Sequence, residues 1–109
     1  MNPVVLLVGK LPNVIGDVAR ELDHLPIRWL GAHDHGEVIR QLDTEPDICC
    51  VIMGGSLDDE MRGDLISVIA MKRPDVCIHI KDRESGPEGM APFVRRVVDG
   101  GLLGSVQTA

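Results

Sequence analysis

Seven residues have types and positions that could serve a bound small molecule: Lys10, Asn13, Gly54, Gly55, Ser56, Lys81 and Asp82. The lysines could neutralise an anion, and Asn13, Ser56 and Asp82 could exchange hydrogen bonds with a ligand. The Gly54-Gly55-Ser56 turn could present backbone amides, as glycine-rich turns ahead of helices do to phosphate. Asp58, Asp59 and Glu60 follow at once, however, and three carboxylates in a first helical turn already answer the helix dipole and repel phosphate. No G-x-x-x-x-G-K-[ST] occurs, so Lys10 is not a phosphate-loop lysine, and no G-x-G-x-x-G follows the first apolar run. The run Gly100-Gly101-Leu102-Leu103-Gly104 comes late and has no helix behind it.

Other chemistry is weakly represented. His33-Asp34-His35 has two imidazoles and one acid, short of a four-ligand structural zinc site, and Asp34 reads as a helix cap. His79 follows Cys77 on the same side of a strand by alternation, and a Cys-His nucleophile pair also needs exposure and an orienting third group. Lys10 and Asp82 at neighbouring strand ends suggest an ion pair. Cys49, Cys50 and Cys77 lie in apolar runs and read as reduced core thiols. Adjacent Cys49 and Cys50 are expected on opposite faces of their strand, which discourages a bridge between them. No catalytic residue, metal site or cofactor is assigned.

The elements that must position these residues alternate strand and helix four times. Val4 to Val8 and Ile48 to Met53 are continuous apolar runs, the pattern of strands buried on both faces. Ile27 to Leu30 is weaker and carries Arg28, as an edge strand would. Val76 to Ile80 supplies a fourth strand, and Leu102 to Val106 a candidate fifth. Helices are predicted from Pro12 to Leu25, from Asp34-His35-Gly36-Glu37 to before Pro46, from Ser56-Leu57-Asp58-Asp59 to Pro74, and from Ser85-Gly86-Pro87-Glu88 to Gly100. Three of these starts carry capping-box spacing, with Asp34, Ser56 and Ser85 as caps. Strand–helix repeats impose parallel pairing. With the two most apolar strands at the centre, the expected fold is a three-layer α/β domain over 1–109, with a parallel sheet of four or five strands in the order 2-1-3-4(-5). Ligands in such sheets bind beyond the carboxyl ends of the strands where the order reverses. Here that is between Gly9-Lys10 and Gly54-Gly55-Ser56, with Asn13, His33, Asp34, Lys81 and Asp82 on neighbouring loops.

Composition narrows the partners. The net charge is −6, from 11 basic and 17 acidic residues, and the only dense basic pairs are Lys72-Arg73 and Arg95-Arg96. That argues against a nucleic-acid surface, which depends on clustered cations. No run reaches the roughly 18 apolar residues of a membrane span, and no basic leader precedes the first strand, so a cytoplasmic location is expected. Hydrophobic residues make up 44% of the chain, but Trp29 and Phe93 are the only aromatics, so the core must be aliphatic.

The stretch Glu45-Pro46-Asp47-Ile48-Cys49-Cys50-Val51-Ile52-Met53 resembles the Pro-Asp-hydrophobic third strand of response-regulator receiver domains, and Arg73-Pro74-Asp75-Val76 resembles their entry to strand four. The resemblance runs over roughly residues 3–106 and implies a flavodoxin-like, receiver-like fold. Receivers bind Mg²⁺ with an acidic pair after strand one, where this chain has Gly9-Lys10. They carry the phosphoryl group on an Asp ending strand three, where it has Ile52, Met53 or Gly54. The family's strand-five lysine is also missing, since the last lysine is Lys81. A weaker resemblance is to cobalamin-binding domains. Of their D-x-H-x-x-G loop, Leu11-Pro12-Asn13-Val14-Ile15-Gly16 keeps the glycine and puts Asn13 in place of the histidine.

The resemblance therefore implies a degenerate, pseudo-receiver regulatory module that is not an enzyme. It would act through a protein partner or as a homodimer by its fourth strand and fourth helix, or be a piece of a larger regulator. The alternative is a small-ligand binder or small enzyme using the crevice at the strand ends.

Overall fold

Two strands govern the arrangement. The computed structural model describes residues 2–102. In it β1 (Val4–Val8) and β3 (Ile48–Met53) lie side by side at the centre of a parallel sheet, with β2 (Arg28–Ala32) and β4 (Cys77–Ile80) outside them in the order β2-β1-β3-β4. All five β1 residues are buried, and β3 is buried but for half-exposed Cys49. A strand covered on both faces can afford no polar side chain, which is why these two are the apolar runs.

The helices divide between the faces. Helices α2 (His35–Thr44) and α3 (Asp59–Lys72) bring Val38, Leu42, Leu65 and Ile69 onto Leu6, Val8, Val51 and Met53. Helices α1 (Pro12–Glu21) and α4 (Met90–Val97) bring Val18, Met90 and Val94 onto Val5, Leu7, Cys50 and Ile52. The result is the expected three-layer α/β fold with strand order 2-1-3-4.

Several local expectations are corrected. Helix α1 ends at Glu21, four residues before Leu25, and β2 runs on through Gly31 and Ala32, which pair with Leu7 and Val8. Asp34 caps α2 as expected, accepting from the Glu37 amide at 2.8 Å, but the Glu37 carboxylate returns to the His33 amide, one residue upstream of the capping-box position. Helix α3 is capped by Asp58, which accepts from the Met61 amide at 2.8 Å; Ser56 is left free of capping. Ser85 does not cap either. The chain enters α4 through a 3₁₀ turn, Pro87–Gly89, after Gly86, whose φ of +68° favours a residue without a side chain. Gly100 does not close this helix, which continues as a π-helical turn over Val98–Leu102. That turn claims Leu102 from the expected fifth strand, and 103–106 lie outside the described residues.

The cysteines also differ from expectation. The β1–β3 register shifts between Val4 and Val5, which face Ile48 and Cys50 and leave Cys49 as the extra residue of a bulge. Alternation therefore breaks, and Cys49 and Cys50 both pack on the α1/α4 side. Cys77 is exposed on the edge strand, and all three thiols are free.

The two segments that resemble receiver motifs are tied to each other at the amino ends of the strands. The Arg73 guanidinium donates to the carbonyls of Glu45, Pro46 and Ile48 at 3.3, 2.9 and 2.8 Å. Glu45 in turn holds Arg28 of β2 through two 3.0 Å contacts, which raise the Arg28 pKa.

The central burial predicts a sharp contrast between two truncations. Leu6→Ala, at a fully buried site, should cost about 2–5 kcal/mol. Met71→Ala, at a residue 85% exposed, should stay within ~0.5 kcal/mol. Urea unfolding monitored by circular dichroism checks both.

Candidate functional site

The parallel ladder carries on past the strands' carboxyl ends. The Gly54 amide donates to the Val8 carbonyl at 2.8 Å, the Lys81 amide to Met53 at 2.9 Å, and the Gly9 amide to Ala32 at 3.1 Å. Beyond this edge lies a cleft of about 170 Å³. Gly54, Gly55 and Ser56 line it on the sheet side, Val14 and Ile15 from α1, Pro87 from the 3₁₀ turn and Met90 from the start of α4. Close approach bears on the turn glycines, more tightly at Gly55 than at Gly54. A side-chain carbon at Gly55 would stand 3.3 Å from the Asp82 carbonyl, and one at Gly54 3.4 Å from that of Val8.

Four of the seven sequence candidates, Gly54, Gly55, Ser56 and Lys81, line this cleft. Ser56 joins the two central strands' loops: its hydroxyl accepts from the Lys10 amide at 2.9 Å. Lys10 thus takes part through its backbone, and the residue is exposed. Asn13 is exposed near the start of α1 and is not among the lining residues. Asp82 turns away to accept from the Ser85 amide at 2.9 Å and its hydroxyl at 3.2 Å, so the expected Lys10–Asp82 ion pair does not form. His33 is held by its ring Nδ1, 3.0 Å from the Gly9 carbonyl.

Lys81 is the unusual member. It is 2% exposed, the one buried charged residue of the described chain. Its Nζ donates to the Asp82 carbonyl at 2.7 Å. Its own carbonyl, with that of Gly54, accepts from Arg62 of α3 at 2.8 and 3.0 Å. Arg62 therefore clamps the ends of β3 and β4 from behind the cleft. Burial lowers the Arg62 pKa, the nearby Arg83 charge lowers it further, and Asp59 opposes both. Arg83 donates to the Leu57 carbonyl and pairs with Asp59, each at 2.8 Å.

Sequence reasoning missed Arg62, Arg83 and the apolar walls. Arg62 is one polar residue in line with the buried Leu65 and Ile69 of α3, and only the fold reveals that it reaches two strand-end carbonyls. The thiols offer no nucleophile beside the cleft. Burial pushes the Cys50 thiol up to about 12, and burial likewise raises that of Cys49.

The fold is shared with the non-phosphorylated receiver domain of the stress response regulator RcsB from Escherichia coli. The two agree with a TM-score of 0.65 and 19% identity over 87% of this chain and 76% of that one. The chain has the receiver-like, flavodoxin-like fold. The RcsB response regulator of Salmonella typhimurium matches with a TM-score of 0.59 and 15% identity, over 91% of this chain and 61% of that one. A de novo designed Rossmann fold protein matches at 0.60 and 14%, over 88% of this chain and 96% of that one. No protein-family model and no curated protein matches the sequence. Within the receiver fold, the β3 terminus is Met53-Gly54, Met53 being fully buried, and the loop after β1 begins with Gly9-Lys10. No helix among the described residues is long and apolar enough to cross a membrane.

The Asp82 turn predicts an acid-side signature. The Ser85 amide, chiefly, holds the Asp82 carboxyl below its ordinary 3.8. A depressed carboxyl stabilises the fold fully above 3.8, and the contribution is lost as pH falls through the lower folded value. The carboxyl-carbon titration of Asp82 by NMR should have its midpoint below 3.8. A midpoint at or above that value would show the turn is not formed.

Proposed function

We propose that this chain is a regulatory module of pseudo-receiver type, which acts through protein contacts and does not transfer phosphate. The observation that carries the reading is the residue type at the two places where the receiver fold does its chemistry. At the end of β3, where receivers bear the phosphoryl-accepting Asp, stand Met53 and Gly54. A thioether and a hydrogen offer no carboxylate to phosphorylate. After β1, where receivers place their acidic pair, stand Gly9 and Lys10. A lysine there opposes a divalent cation, which needs oxygen ligands.

The partner we propose is a second copy of the chain, meeting through β4 and α4. Edge strands present unpaired backbone groups that proteins usually cover or blunt. Among the described residues β4 is such an edge, and its apolar Ile80 is 42% exposed. Two copies related by a two-fold axis can pair such edges reciprocally. The net charge of −6 disfavours nucleic acid as the partner. Three free cysteines fit the reducing cytoplasm.

Sedimentation velocity at high micromolar concentration tests the contact. The wild-type chain should sediment as a dimer, and Ile80→Glu, which puts a charge on the edge, should sediment as a monomer. A wild-type chain that remains monomeric, or an Ile80→Glu dimer, would contradict the proposed interface.

A further inference from the structure

The strand-end cleft carries charge of one sign within an acidic chain. Lys81 and Arg83 line it, and its lining includes no carboxylate. The two cations are not equivalent. Arg83 is paired with Asp59, whereas Lys81 forms no ion pair among the described residues. A lysine ammonium has three protons to donate, and Lys81 Nζ has one protein acceptor, the Asp82 carbonyl. Behind it, outside the lining itself, lies a third cation, Arg62, whose Nε is buried without a partner. Buried cations are ordinarily paired, because desolvation otherwise goes uncompensated. An anion in the cleft would complete the arrangement. The Ser56 hydroxyl accepts from the Lys10 amide and keeps its own proton to donate.

The remaining wall decides which anion. Leu11, Val14, Ile15, Pro87 and Met90 are apolar, and they face a space of about 170 Å³. A dry cavity of about 150 Å³ accommodates benzene. Phosphate offers nothing to such a wall, and Asp58, Asp59 and Glu60 follow the turn, where they disfavour a multiply charged ligand.

We propose that the cleft is a binding site for a small monocarboxylate with an apolar body of about benzene size. The carboxylate lies against Lys81 and Ser56, and the body against Val14, Ile15 and Met90. This assigns a ligand class to the crevice and stands apart from the self-association proposed above, because it is read from different residues and by a different measurement.

The test is a titration of the ¹⁵N-labelled full chain by NMR at fixed pH and ionic strength. Benzoate is the probe, and benzamide and benzylamine are its neutral and cationic counterparts. Benzoate should give saturable shifts at the amides of Gly54, Gly55, Ser56 and Lys81, and should bind at least about tenfold more tightly than either counterpart. Lys81→Met keeps the apolar stem and should weaken benzoate by about tenfold or more. Val14→Phe narrows the apolar wall with Lys81 in place, and should also abolish the shifts. Dispersed amide spectra establish that each variant is folded. Should Lys81→Met fail to fold, the three-probe comparison and Val14→Phe decide. The proposal is overturned if benzoate gives no saturable shift, if benzamide binds as tightly, or if a folded Lys81→Met or Val14→Phe binds benzoate as the wild type does.

Discussion

Everything in this fold follows from the burial of β1 and β3 on both faces. With helices packed above and below, neither strand can place a polar side chain on either side without leaving it unpaired in an apolar interior. Polar chemistry is therefore driven to the two ends of the sheet. The amino and carboxyl ends are where the chain spends its buried and half-buried cations.

Those cations answer a problem that the strands create. A parallel strand leaves backbone carbonyls without a ladder partner where it ends, and buried carbonyls need donors. Arg73 meets that need at the amino end by donating to three carbonyls on the approach to β3. Arg62 meets it at the carboxyl end by spanning Gly54 and Lys81. Both come from α3, at Arg62 inside it and Arg73 just past its last residue, so one helix fixes both ends of β3. The cleft owes its shape to this arrangement. Gly54 and Gly55 bring backbone close to neighbouring backbone, and Lys81 is held inside the wall.

Apolar continuity and its interruption by glycine and proline made the architecture legible in the sequence. They gave the strands, the helix order and the inference that β1 and β3 are central. Capping was legible in kind and misplaced in detail. Ser56 and Ser85 have the right spacing to cap, but each has a competing partner: the Lys10 amide brought up by the neighbouring strand, and Asp82 three residues earlier. The bulge at Cys49 was invisible because a continuous apolar run has no alternation to break. At the site, glycines and lysines stood out by type, so Gly54, Gly55, Ser56 and Lys81 could be named. The walls could not, since Val14, Ile15 and Met90 look like any other core-facing helix residues until α1 and α4 are placed around the strand ends.

The receiver-like segments illustrate how a motif can serve structure alone. Glu45-Pro46 and Arg73-Pro74 meet as an arginine bound to carbonyls at the end of the sheet opposite the cleft. Such a contact holds the frame whether or not the other end performs chemistry. In the proposed function the other end, with Met53-Gly54 closing β3, accepts no phosphoryl group. The direct measurement is intact-mass spectrometry of the folded chain after incubation with acetyl phosphate and Mg²⁺. The mass should be unchanged at every time point. A phosphoryl adduct that is lost when the chain is unfolded in base, as an aspartyl phosphate would be, would contradict the pseudo-receiver reading.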